Sequence, residues 1–110
     1  MRKPISHGIY AERSKIMDLL PRIAEAVRSG RYVVSAHAYQ RSQDRQVPIP
    51  HVEHVLLKGF HEKRKDTFSE EHGAWNYAIR GKSPDGINVR VVVAFADDGM
   101  LLVTIINLNK

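Results

Sequence analysis

The stretch Ser35-Ala36-His37-Ala38, followed by Arg41, Asp44 and Arg45, carries the residue types best able to do chemistry in this chain. Ser35 suits the N-cap of a helix over about 36–45. Helical spacing then puts His37, Arg41, Asp44 and Arg45 on one face. Little of that face is apolar, so core packing does not account for its composition. A neutral imidazole can act as a general base near neutral pH. Two guanidinium groups beside it can grip phosphate oxygens bidentately. The same residues also suit a solvated helix face with an Asp44–Arg41 ion pair, a contact of small energetic worth.

Other polar features are weaker. His51 and His54 sit three apart and could both touch a metal, but no third ligand is placed by spacing, and surface helix histidines are the plainer reading. His72-Gly73 reads as a turn. Lys63-Arg64-Lys65 reads as a solvated edge. Trp75, Tyr77 and Ile79 alternate with Asn76, Ala78 and Arg80, so the two aromatic residues fall on an apolar, core-facing side. Arg80, Asn88 and Arg90 fall on the other side, where an arginine is either solvated or meets a ligand. There is no glycine-rich phosphate loop. The chain has no cysteine, which excludes disulfides, thiol catalysis and cysteine-based zinc sites.

Helices that must position these groups come first in the chain and strands later. Ser14 is a plausible N-cap, and Ile16, Leu20, Ile23 and Val27 predict a helix over 16–29 that ends at Gly30. Pro21 should kink it or mark its true start. A short strand is expected at 31–34. Ile49, Val52, Val55 and Leu56 predict a third helix over 49–58, with Pro48 and Pro50 tolerable only around its first turn. Strands are expected at 60–65 (an edge guarded by Lys63, Arg64 and Lys65), 75–81, 87–96 and 100–108. Met100 to Leu108 is apolar at both parities, which suggests a well-covered strand. The implied fold is α+β, with N-terminal helices on one face of a mostly antiparallel sheet. A single domain over 1–110 is expected, with 1–15 as an N-terminal tail.

The 110 residues suit one domain able to bury a core unaided. The formal charge is +5. It is uneven: residues 1–34 carry seven basic and three acidic side chains, 35–65 carry six and three, and 66–110 carry four and six. A basic part joined to a mildly acidic one suggests a polyanion partner. No apolar run is long enough to span a bilayer, and no signal peptide follows the basic start. A cytoplasmic protein is the expectation.

The order Ser-x-His-Ala, Arg, Arg-x-Val, then an apolar helix ending Leu-x-x-Gly, resembles a family of small bacterial domains of unassigned function with the pattern S-x-H-A-x-x-R-x-x-x-R-G-[IV]. The chain matches at Ser35, His37, Ala38, Arg41, Arg45, Val47, Val55, Leu56, Gly59, Tyr77, Gly81 and Thr104. It departs at Gln46, where Gly is usual, and at Pro48, where Ser or Thr is usual. The resemblance spans about residues 16–108. That family is distantly similar to the RelE and MqsR toxins, small basic endoribonucleases of toxin–antitoxin pairs. The resemblance implies a RelE/MqsR-like fold and RNA cleavage by 2′-hydroxyl attack, with no metal or cofactor. It implies His37, Arg41 and Tyr77 as catalytic residues and an acidic antitoxin as partner. Arg45, Arg80 and Arg90 would bind flanking phosphates of single-stranded RNA or mRNA, with Tyr39 or Phe60 as a stacking platform. A non-catalytic nucleic-acid-binding module and a protein-binding accessory module are the competing expectations.

Overall fold

The structure, a computed structural model, describes residues 19–96 and 99–109. The expected N-cap Ser14 and helical positions 16–18 lie outside the described residues. Helix α1 (Leu19–Ser29) buries Leu19, Ile23, Ala26 and Val27. Pro21 falls in its first turn, where the missing N–H breaks no intrahelical bond. Strand β1 (Tyr32–Val34), helix α2 (Ala36–Asp44) and helix α3 (Ile49–Lys58) follow. Pro48 is the N-cap of α3 and Pro50 lies in its first turn, as their chemistry requires.

The strands are β2 (Phe60–His61), β3 (Thr67–Ser69), β4 (Ala74–Lys82), β5 (Asn88–Ala96) and β6 (Gly99–Asn107). The sheet order is β1-β6-β5-β4-β2, and β3 pairs with β4. The β4-β5-β6 meander is antiparallel, whereas β1 runs parallel to β6. The architecture is α+β, with helices on one face of a mixed, mainly antiparallel sheet. Helix α3 packs on β4 and β5, α1 packs on α3, and α2 lies along β6. The core joins Ile23, Val52, Val55 and Leu56 to Ile79, Val89, Val91, Val93, Leu102 and Ile105. Tyr32 ties β1 to α3 by donating its hydroxyl to Glu53. Burial, followed by the Glu53 carboxylate, pushes that phenol up to about 12.

Three expectations need correction. The strand expected at 60–65 stops at His61, and Lys63–Lys65 form a 3-10 turn. The ladder is closed off by Asp66, whose Oδ1 accepts from the Ala78 N–H at 2.9 Å in place of a backbone carbonyl. β3 occupies 67–69, where no strand was expected. Trp75 is 43% exposed rather than core, because the first residues of β4 pair only with β3. Its ring instead meets Phe68 edge-on, with centroids 5.5 Å apart.

Candidate functional site

Two faces of the sheet are set by the register. Tyr77, Ile79 and Gly81 lie opposite Val93, Val91 and Val89 and face the helices. Ala78 and Arg80 lie opposite Val92 and Arg90 on the face that α1 and α3 leave open. Val92 in turn is opposite Thr104, and Arg90 is opposite Ile106. Phe60 is opposite Arg80. Thr104, Arg90, Arg80 and Phe60 therefore share one surface.

Helix α2 brings His37 to that surface through its cap. Ser35 Oγ accepts from the Ala38 N–H at 2.9 Å and donates to the Val103 carbonyl at 3.3 Å. The backbone N–H of Ser35 also bonds the Leu102 carbonyl at 3.2 Å. Val103 is available because β6 bulges there: Thr104 pairs with Val92 and Leu102 with Val93, leaving Val103 without a partner on β5. Helix and strand are so locked that His37 Nε2 lies 3.0 Å from Thr104 Oγ1. A hydroxyl can donate to an unprotonated ring nitrogen or accept from a protonated one. The contact orients the ring in either charge state, and the other ring nitrogen has no described partner. His37 itself is exposed.

Arg41, one turn on, has its Cβ about 5–6 Å from that of His37. It is half-buried and forms no ion pair with any described residue. The alternative Asp44–Arg41 pair does not form; Asp44 instead accepts from Gln40 Nε2 at 3.1 Å. Arg45 is the C-cap of α2, and its carbonyl accepts from Asn107 Nδ2 at 3.4 Å. Val47 N–H bonds the Ser42 carbonyl and Gln46 N–H the Gln43 carbonyl, a Schellman motif with buried Val47 as its apolar anchor. Gln46 takes φ 57°, the left-handed conformation for which the family pattern has glycine.

Tyr77 does not join His37. It faces the helix side of the sheet, with its ring edge-on to His61 at 6.1 Å and tilted against Phe95 at 6.2 Å. The sheet lies between it and Thr104, as strand alternation requires.

Glu62 is the residue that sequence reasoning missed. Its N–H bonds the Ala78 carbonyl, which extends β2 by one step onto the open face. It is only 6% exposed, and three arginines surround it. Arg90 grips it bidentately, Nε to Oε1 at 2.8 Å and Nη2 to Oε2 at 3.1 Å. Arg80 and Arg64 approach Oε2 at 3.5 and 3.7 Å. The hydrogen bonds from Arg90 hold the Glu62 carboxyl below its usual range, against burial, with Arg90, Arg80 and Arg64 adding charge in the same direction. Arg90, expected to bind phosphate, is thus already committed to a carboxylate.

Elsewhere, His61 Nε2 bonds Asp66 Oδ2 at 2.7 Å, and His51 Nδ1 lies 3.8 Å from Asp85 Oδ2. Among the described residues no group of three or more potential ligands could hold a metal ion, and no helix is long and apolar enough to cross a membrane.

An α+β domain with a histidine and several arginines on an open sheet face is the class that fold and site define. The profile of the family described as "Domain of unknown function (DUF4258)" matches residues 34–107, and the chain belongs to that family. The match starts at Val34, the last residue of β1, later than the 16–108 span of the resemblance. No curated protein and no solved structure matches the chain.

Proposed function

We propose that the protein is a toxin-like, metal-independent endoribonuclease that cleaves RNA on its open sheet face. The observation that carries this reading is the exposed His37 imidazole, oriented by Thr104 and flanked by Arg41, a guanidinium with no ion-pair partner among the described residues. RNA supplies its own nucleophile. The 2′-hydroxyl loses its proton to a base, its oxygen bonds to phosphorus, and the 5′ oxygen leaves with a proton, giving a cyclic phosphate and a free 5′-hydroxyl. His37 takes the proton and returns one, Arg41 holds the charge that builds on the phosphorane, and Arg45 and Arg80 contact neighbouring phosphates. An acidic antitoxin would cover the same cationic face.

A second reading, a non-catalytic RNA-binding module, is favoured by one observation. With Tyr77 on the far side of the sheet, His37 has no described proton-transfer partner beside it, since an arginine does not give up its proton.

One comparison separates the two. His37→Ala and His37→Asn remove an exposed ring, so both should melt like wild type and bind RNA equally well. As nuclease variants they should lose about two to four orders of magnitude in cleavage. Induced expression of wild type, but not of His37→Ala, should arrest growth. Wild-type cleavage by either folded variant removes His37 from the mechanism, and a wild type that leaves RNA uncut removes the nuclease reading.

A further inference from the structure

The Glu62 cluster has more positive charge than its own carboxylate can neutralise. Three guanidinium groups meet one carboxylate, and no other described acidic side chain forms an ion pair with any of them. Arg90 spends two donors on Glu62 at hydrogen-bonding distance. Arg80 and Arg64 reach the same oxygen only through single contacts of 3.5 and 3.7 Å. A guanidinium has five N–H donors, so both keep most of theirs for another acceptor. The 3-10 turn at Lys63–Lys65 brings the tip of the exposed Arg64 side chain to this spot.

Beside these donors stands an aromatic ring. Phe60 is directly opposite Arg80 in the β2–β4 ladder, so it lies on the same open face. It is 57% exposed, and no described ring packs against it. An exposed flat ring next to spare guanidinium donors matches the two halves of a nucleotide. The ring suits a base through stacking, and the guanidinium groups suit its phosphate. An acidic peptide would use the cations but not the ring. From β2 to β6 there are three strand spacings, about 14 Å, so Phe60 and His37 are too far apart to meet the same nucleotide.

We propose that Phe60, Arg80 and Arg64 form a subsite for one nucleotide of single-stranded RNA, with Glu62 and Arg90 as the struts that hold it. The subsite builds on the RNA reading above, but it needs binding only, not cleavage. The test is fluorescence anisotropy of the full chain with a short, uncleavable 2′-O-methyl oligoribonucleotide. Phe60→Ala and Phe60→Leu should both bind at least about fivefold more weakly, the usual effect of losing one base–aromatic stack. A fully abasic analogue should bind wild type and Phe60→Ala alike. Arg80→Gln and Arg64→Gln should each reduce the salt slope of log affinity by about 0.7. Wild-type affinity in Phe60→Ala, or an unchanged slope in Arg80→Gln, overturns the subsite. So does an oligoglutamate that displaces the RNA with the same arginine dependence but no loss in Phe60→Ala. The nuclease reading fails separately, if Phe60-dependent binding is intact and wild type leaves ordinary RNA uncut.

Discussion

At the scale of single residues, three contacts make predictions of their own. Thr104→Val keeps the shape of the side chain and deletes the hydroxyl that orients His37. On the nuclease reading proposed above, cleavage should fall about tenfold with RNA affinity unchanged, the kinetic equivalent of one neutral hydrogen bond; full activity in a cleavage assay would show that the ring orients itself. Gln46 strains the turn after α2 by adopting φ 57°. Gln46→Gly should therefore raise stability by about 1 kcal/mol in chemical denaturation, the cost of left-handed backbone for an L-residue less the entropy of the added glycine. Glu62 links the fold to acidity. Its carboxyl titrates lower in the folded protein than the ordinary 4.5. Its contribution is present above that value and is lost as pH falls through the folded pKa. Glu62→Gln should be destabilised by about 3 kcal/mol near neutrality, since one partner of a buried pair is gone. Its stability should also fall less steeply than that of wild type below pH 4.5, measured by melting across an acid series. The His37–Arg41 face could be read in the sequence because Ser35 marks the start of its helix and helical spacing does the rest, whereas Gln46 is no sequence signal for the left-handed turn it makes. Glu62 could not be read, because it sits within a charged run, and only the pairing of β2 with β4 reveals which arginines it meets.

At the scale of elements, the join between α3 and β4 is the tightest. A Cβ on Gly59 would lie 2.5 Å from the Arg80 carbonyl oxygen and 2.6 Å from that of Val55, and one on Gly81 would lie 3.0 Å from Gly59 Cα. Two glycines thus let the helix end touch the strand that carries Arg80. Gly59→Ala should cost about 1–3 kcal/mol from overpacking and disturb the open face at Arg80; a melting temperature equal to wild type would show that the backbone yields freely. The helix spans were legible because α3 has an apolar stripe and proline and glycine at its ends. Strand β6 was harder. Its buried residues switch parity, Met100 and Leu102 before the bulge and Ile105 and Asn107 after it. That switch is why the segment reads as apolar on both sides. The bulge itself has no local signature in Leu102-Val103-Thr104. Tyr77 shows the opposite case, since strict alternation along β4 already put it on the core side.

At the scale of the molecule, the first strand of the described residues pairs with the last. Tyr32 is opposite Met100 and Val34 opposite Leu102. Such a pairing is not written in either segment; β1 has only three residues and no turn to fix its neighbour. The sequence therefore conveyed the meander, whose strands are joined by short turns, and not the parallel join that closes the sheet. The same closure has a consequence for synthesis. A ribosome delivers His37 long before Thr104, and the imidazole has nothing to hold it until β6 emerges and docks beside β1. On the reading proposed here, a nascent chain that has passed His37 but not Thr104 carries the histidine without its orienting strand. On that reading, the site is assembled only once β6 has emerged and docked.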